Sequence, residues 1–432
     1  MKITIIGPGF VGLTSAVVYA GFGHQVIGID IDQRKIDLLN QGVVSFYEPK
    51  LGEMVEDCLR AGNLSFTTDY KTGIAEADVI MICVGTPSDE NGAVDLSFVE
   101  ASLKSLAPYL KKNAIVVIKS TVPPGTLDWA KKTLDKLTKT QYYLASCPEF
   151  LKEGTAVDDT LYPDRIVIGA TDEYVFNKLE ALHQPLKAPI IKMRPASAQL
   201  CKYAANNYLA MRIAFVNEIA NVCSRSGADV QEVIKGISYE KRIGDHYWYP
   251  GLGFGGSCFP KDVKGLAHFA QDLGLTDNLF AKVDQLNSQR PVMLLENFGN
   301  QIKGGWAGKK VAVLGLAFKP NTDDQRVSPA LATIPFLLAQ GCEVLAYDPM
   351  VKKIASKKIA EHACYRQVDS IEAAITEADV ILALVEWPQI IGFKFKKLAG
   401  KQIKYFIDMR NQFSQAELEK VGFTYFGIGR GK

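Results

Sequence analysis

The chain has 432 residues, with 49 Lys and Arg against 47 Asp and Glu. That length suits about three domains with ample core, which excludes a small disulfide or metal scaffold. A net charge of +2 provides no global field for nucleic acid or a membrane surface.

The eight cysteines (58, 83, 147, 201, 223, 258, 342 and 364) are scattered, with no Cys-x-x-Cys and no clustered histidines. Reduced thiols in a cytoplasm and no metal site are expected. The start lacks the apolar core of a signal peptide, and no apolar run reaches membrane-spanning length. Lys394, Lys396, Lys397, Lys401 and Lys404 make a local basic run, either a solvated face or a site beside a phosphorylated ligand.

Lys2–Ile6 reads as a strand, followed by Gly7-x-Gly9-x-x-Gly12, a helical pattern over Leu13–Ala20 and a second strand ending at Asp30. Strand, glycine turn, helix, strand and acid form a dinucleotide fingerprint. The first glycine turns the chain, the second admits the pyrophosphate and the third lets helix and strand pack. Asp30 suits the ribose hydroxyls and repels a 2′-phosphate, favouring NAD, although Arg34 and Lys35 follow closely.

Two further strands, Asp78–Val84 and Ala114–Ile118, are apolar on both faces, as in a covered parallel sheet. Thr86 and Thr121 fall at their C-terminal ends, the edge where such sheets bind ligands. Glu149 and Glu153 are four apart, so a short helix would place them on one face; Pro163-Asp-Arg165 follows.

After Pro195, a long helix is expected from about Ala196 to Ser226. It carries Lys202 and Asn206 one turn apart and is apolar nearly all round, so it should link two domains and form a homodimer interface. Lys202 is either a partly desolvated lysine with a lowered pKa or a snorkelling surface lysine.

Tyr249–Asp262 is dense in glycine and ends in Cys258-Phe-Pro-Lys261-Asp262. Pro260 and Asp262 suit a first helical turn, which places Cys258 at a helix N-terminus where the dipole and Lys261 favour a thiolate. Cys258 is thus either a nucleophile or a small buried hydrophobe.

A second α/β unit opens at Lys309–Lys319 and continues through Cys342–Asp348, Ala378–Val385 and Tyr405–Arg410. Glu-Ala-Asp-Val-Ile occurs at 76–80 and again at 377–381, so the two ends look related. The second copy has only Gly315 of the glycine triplet and should bind a nucleotide-like ligand other than NAD, with Lys319, Asp323, Asp324, Arg326 and Arg410 as candidate polar groups. The expected fold is α/β, two Rossmann-like doubly wound domains joined by a long central helix. The expected domains are 1–196 for NAD, 197–300 helical and dimerising, and 301–432 for the second, nucleotide-like ligand.

Five ordered motifs carry a resemblance across almost the whole chain. They are Gly7-x-Gly9-x-x-Gly12, Lys119-Ser-Thr121-Val-Pro-Pro-Gly125, Pro148-Glu-Phe-Leu-Lys-Glu-Gly154, Gly253-Phe-Gly-Gly-Ser-Cys258-Phe-Pro-Lys-Asp262 and Gly315-Leu-Ala-Phe-Lys-Pro-Asn-Thr-Asp-Asp324. Together they resemble the UDP-glucose/GDP-mannose dehydrogenase family.

The resemblance implies NAD-dependent four-electron oxidation of UDP-glucose to UDP-glucuronate through a thiohemiacetal and a thioester on Cys258. Lys202 and Asn206 would stabilise the oxyanion, with Asp262 placing a water or base. Thr121 and Glu149 would position the hydrolytic water, with Glu149 as general base. Whether Lys202 or Asp262 serves the first proton transfer stays open. Gly7, Gly9, Val11, Gly12, Asp30, Lys35, Thr86, Thr121, Glu153, Lys261 and Arg326 would contact NAD.

Glu149, Phe150, Leu151, Lys152, Glu153, Lys202, Asn206, Tyr247, Trp248, Tyr249, Pro250, Gly251, Gly255, Lys319 and Arg410 would contact the nucleotide sugar, and Arg242 would reach in from a partner subunit. The alternatives are GDP-mannose or UDP-N-acetylmannosamine oxidation, a two-electron dehydrogenase with a structural Cys258, and a non-catalytic NAD-sensing protein.

Overall fold

The computed structural model describes residues 1–89, 91–395 and 405–430. Lys396, Lys397, Lys401 and Lys404 of the basic run lie outside the described residues. The chain forms two compact units, Met1–Ala205 with Lys264–Leu275, and Asn206–Val263 with Thr276–Lys432.

The first unit is built on an eight-stranded sheet: β1 (Lys2–Ile6), β2 (Gln25–Ile29), β3 (Leu64–Thr67), β4 (Val79–Ile82), β5 (Ala114–Ile118), β6 (Tyr142–Ser146), β7 (Ile166–Gly169) and β8 (Ile190–Met193). Its order is β3-β2-β1-β4-β5-β6-β7-β8, parallel except where β7 meets β6. Side chains alternate between faces with a period of two. Ile3, Ile5, Val79, Met81, Ile115 and Val117 join one core with Leu13 and Val17 of the fingerprint helix. Ile6, Ile80, Ile82, Val116 and Ile118 join the opposite core with Leu103 and Leu134. Burial on both faces explains the continuous Val/Ile runs.

The second unit repeats the plan with β9 (Lys310–Leu314), β10 (Glu343–Tyr347), β11 (Tyr365–Gln367), β12 (Val380–Ala383), β13 (Tyr405–Asp408) and β14 (Thr424–Gly427), in the order β11-β10-β9-β12-β13-β14. That matches the first six positions of the other sheet. The repeated pentapeptide does the same job twice. Asp78 Oδ2 accepts the Lys2 N–H at 3.0 Å while its own N–H donates to the Lys2 carbonyl at 2.8 Å. Asp379 makes the same two bonds with Lys310, at 3.0 and 2.8 Å. Each aspartate pins the first residue of its sheet's opening strand. The apolar run Lys309–Lys319 yields a strand only to Leu314, because Gly315 turns the chain at φ 105°.

The two first turns then diverge. In the second unit the N–H groups of Leu316 and Ala317 donate to Asp348 Oδ2 at 2.7 and 3.0 Å. Amides that would otherwise cradle a phosphate are held by the chain's own carboxylate.

A single helix, Pro195–Ser226, joins the units, with the boundary between Ala205 and Asn206. Pro195 is its first residue, a favoured place for proline. Coverage on several sides, as its sequence suggests, is not met by this chain alone. In the second unit Tyr208, Phe215 and Val222 are 54%, 52% and 61% exposed. They recur every seven residues, which keeps them on one stripe. Among the described residues no helix is long and apolar enough to cross a membrane, and no cluster of three or more His, Cys, Asp or Glu is arranged to hold a metal.

In the first unit His183, at the end of the helix Glu173–His183, is 3% exposed. Its Nδ1 lies 2.6 Å from the Leu179 carbonyl, which can only accept, so Nδ1 carries the proton. Nε2 then accepts from the Tyr19 hydroxyl at 2.9 Å. Burial, and then the charge of Lys119, pull the imidazole down to about 4. The unfolded chain therefore binds this proton first, and stability present above pH ~6.5 is lost as pH falls toward 4, by about 3 kcal/mol. His183→Gln should flatten that part of a urea-unfolding profile; an unchanged pH dependence in the variant contradicts the assignment.

Candidate functional site

The fingerprint glycines divide their work as their environments dictate. A Cβ on Gly12 would lie 2.2 Å from the Gly7 carbonyl oxygen, so helix and strand meet only if this residue is glycine. A Cβ on Gly9 meets nothing within 4 Å, which leaves open space at the helix N-terminus for a pyrophosphate. Val11 follows in the first turn of that helix, Phe10–Gly21. Just past β2, Asp30 holds Lys35 Nζ at 2.5 Å on one oxygen and the Asp32 N–H at 3.1 Å on the other. Thr86 Oγ1 donates to the Thr121 carbonyl at 2.8 Å, which ties together the loops that leave β4 and β5. These groups fit an adenine dinucleotide: an open glycine turn, an acid just past the neighbouring strand, and hydroxyls beyond the ends of β4 and β5.

The same unit contains a buried ion pair. Lys202 Nζ lies 2.9 Å from Glu149 Oε1, with 3% and 8% of the two side chains exposed. This excludes the snorkelling surface lysine. The shared-face helix expected at Glu149 and Glu153 is absent, since the next helix begins only at Ala156. Pro148 precedes the segment, Glu149 Oε2 accepts the Leu151 N–H at 2.7 Å, and Gly154 adopts φ 84°, so a turn replaces the helix. Glu153 is buried too. The Phe150 ring carries the Arg165 guanidinium at 3.6 Å and Lys202 Nζ at 5.5 Å. Lys152 pairs with Asp159 at 3.1 Å. A cavity behind Glu149 is lined by Tyr19, Lys119, Cys147 and His183. Sequence reasoning missed Tyr19 and His183, which no motif contains, and gave Lys119 no role although it opens the motif Lys119–Gly125.

In the second unit Cys258 directly precedes the helix Phe259–Asp272, and its carbonyl accepts the Asp262 N–H at 2.9 Å. The thiol is therefore at the helix N-terminus, as its sequence implies, with Ser257 Oγ 3.6 Å from Sγ. Asp262 is 1% exposed. Its carboxyl accepts from Asn206 Nδ2 at 2.6 Å and pairs with Lys261 Nζ at 2.6 Å, while its carbonyl takes Asn207 Nδ2 at 3.1 Å. Asn206 and Lys261, expected at the sugar and at NAD, thus share one buried acid. Asn207 went unrecognised; only its place beside Asn206 pointed to it.

The remaining expected sugar and cofactor contacts spread around this unit. Tyr247, at φ 63°, sets its ring 5.8 Å from Tyr249 and 6.2 Å from Phe259. Trp248 packs under the Arg212 guanidinium at 4.3 Å, Pro250 is buried, and the Gly251 N–H donates to Asn217 at 2.9 Å. A Cβ on Gly255 would lie 2.2 Å from the Val327 carbonyl oxygen. Lys319 Nζ sits 5.4 Å from the Phe318 ring centroid, and Arg326 grips Asp324 with Nε and Nη2. Arg410 donates to the Leu384 carbonyl and pairs with Glu386 at 3.2 Å. Arg242 projects from the chain, its side chain 87% exposed and paired with Glu240.

Three family models match the chain in succession. Residues 1–187 match the NAD binding domain of the UDP-glucose/GDP-mannose dehydrogenase family, 196–289 its central domain and 312–415 its UDP binding domain. A UDP-glucose 6-dehydrogenase of Bacillus subtilis is 41% identical across 99% of this chain and 93% of its own. The solved UDP-glucose dehydrogenase of Pyrobaculum islandicum superposes with TM-score 0.91 at 34% identity, covering 99% of this chain and 97% of that one. The UDP-D-ManNAc dehydrogenase structure from Pyrococcus horikoshii gives TM-score 0.88 at 29% identity, with full coverage of both chains. On the strength of all three matched segments and these full-length relatives, the chain belongs to the UDP-glucose/GDP-mannose dehydrogenase family.

Proposed function

We propose that this enzyme oxidises the C6 alcohol of UDP-glucose to the carboxylate of UDP-glucuronate, with Cys258 holding the substrate between the two oxidations. The single observation that carries this reading is Cys258 at its helix N-terminus with the buried Asp262 one turn inside it. NAD, when bound, supplies the hydride acceptor, and two are consumed per sugar. The full-length relatives named UDP-glucose 6-dehydrogenase favour glucose over other nucleotide sugars.

The residues divide the work by chemistry. Asp262, gripped by Asn206 and Lys261, is a rigid acceptor for the water that carries away the first proton. The Cys258 thiolate adds to the aldehyde carbon and keeps that reactive intermediate from escaping. Lys202 and Asn206 are donors for the alkoxide and oxyanion that develop along the way. Glu149 accepts the proton of the water that hydrolyses the thioester, Thr121 helps to position that water, and Cys258 leaves as the thiolate. The aromatic and glycine contacts of 247–251, Gly255, Lys319 and Arg410 bind the nucleotide sugar. Gly7, Gly9, Gly12, Asp30, Lys35, Thr86, Glu153, Lys261 and Arg326 serve NAD.

The same reading assigns three functional segments, 1–196, 197–300 and 301–432, and a homodimer formed along the central helix. The dimer rests on the exposed seven-residue stripe of Tyr208, Phe215 and Val222, which leaves large apolar side chains without cover in one chain. Arg242, exposed and outside this cluster, is then available to a partner's site. Eight cysteines outside any disulfide agree with residence in a reducing cytoplasm.

Cys258→Ser should lower uronate formation by roughly a thousandfold or more while NAD binding persists; near-normal uronate formation refutes the nucleophile. Glu149→Gln should still release NADH in a first burst and then stall at the thioester, detectable as a sugar adduct on Cys258 by mass spectrometry. Steady turnover without an adduct removes Glu149 from the hydrolytic step. Phe215→Glu should shift sedimentation from dimer to monomer at micromolar protein. A wild type that is already monomeric there overturns the dimer.

A further inference from the structure

The loop that leads to Cys258 is held from outside by side chains that no motif contains. Asn287 and Arg290 lie three residues apart on the helix Leu279–Gly299, so they share a face. Asn287 binds the Phe254 backbone on both sides. Its Oδ1 accepts the Phe254 N–H at 2.7 Å and its Nδ2 donates to the Phe254 carbonyl at 3.0 Å. Arg290 Nε donates to the Gly251 carbonyl, and Nη1 donates to the Asn217 carbonyl at 3.3 Å and to Asn221 Oδ1 at 3.1 Å. Asn217, from the central helix, completes the set by accepting the Gly251 N–H at 2.9 Å. The loop's chemistry matches this grip. A Cβ on Gly253, at φ 98°, would lie 2.3 Å from Asn287 Oδ1, so only glycine lets the amide lie flat against the chain.

Arg290 is costly to place there. It is 3% exposed, and among the described residues no carboxylate forms an ion pair with it. Burial pulls its guanidinium down to about 10, partly offset by the charge of Glu218, and Nη2 is buried without a hydrogen-bond partner. A buried cation whose acceptors are backbone carbonyls and an amide is poorly explained as a stability device. Fixing those carbonyls in space is what it accomplishes. Beyond the grip, the Gly256 N–H donates to the Arg326 carbonyl at 2.9 Å. The segment from Gly251 to Gly256 is therefore anchored at both ends, two residues short of the thiol.

We propose that Asn217, Asn287 and Arg290 form a clamp that sets the position of Cys258 for attack on the aldehyde, making Asn287 and Arg290 positioning residues for the covalent step. The proposal rests on Cys258 being the nucleophile. It predicts that loosening the clamp misplaces the thiol while leaving the fold and the first unit's cofactor binding intact.

Two variants test it, Arg290→Lys, which keeps the charge but loses the fork, and Asn287→Ala, which releases Phe254. Each should lower kcat about tenfold or more, with the KM for NAD within twofold of wild type, and should slow iodoacetamide alkylation of Cys258 and shift its pH profile. The sugar should then be released partly as aldehyde, trapped with a hydrazine. Thermal unfolding within a few degrees of wild type identifies variants that fold. Folded variants with wild-type kcat, alkylation profile and no trapped aldehyde overturn the clamp. Uronate formation by Cys258→Ser would instead overturn the underlying nucleophile assignment, so the two failures are distinguishable.

Discussion

Lys202 and Glu149 meet at 2.9 Å with almost no solvent on either, and that buried pair is a constraint its surroundings must satisfy. Removing two opposite charges from water costs several kcal/mol per ion unless each finds the other and further hydrogen bonds complete the shell. The Leu151 N–H supplies one such bond to Glu149, and the loop of 148–154 must leave helical geometry to provide it. Pro148 before the segment and Gly154 at φ 84° allow that turn, and the ion pair holds the carboxylate that closes it. It also fixes an acid and an ammonium at one place, the two groups to which the proposed mechanism gives a proton and a developing negative charge.

The second unit solves the same problem with different partners. Asp262 is buried against Asn206 and Lys261, and Arg290 against carbonyls. In each case a charge too expensive to bury alone specifies which neighbours must be present, and those neighbours orient the helix and loop on either side of Cys258. The two Rossmann-like sheets share their strand order and their Asp78 and Asp379 anchors. They part at the first turn, where one leaves Gly9 facing open space and the other closes its amides onto Asp348. One scaffold can therefore serve two ligands because a few residues in a turn decide what its N–H groups are offered.

What was legible in the sequence was whatever depends on local periodicity or on residues near each other in the chain. The strands, the glycine fingerprint, the repeated Glu-Ala-Asp-Val-Ile and the helix start at Cys258 all have that character, and each is present, although several strands are shorter than their apolar runs, as at Leu314. Glu149 and Glu153 misled because a spacing of four implies a shared face only if a helix exists. Lys202 kept two readings open because its partner lies 53 positions earlier, at Glu149. His183 with Tyr19, and Arg290 with Gly251, are pairings made by tertiary packing alone. No pattern within either segment announces them.

A single thiol that carries a sugar through two oxidations leaves its mark in the count of electrons. With limiting UDP-glucose and excess NAD, the account predicts two NADH formed per sugar consumed, uronate as the product and no aldehyde captured by a hydrazine trap. One NADH per sugar with free aldehyde in solution would contradict it and leave Cys258 as a structural residue.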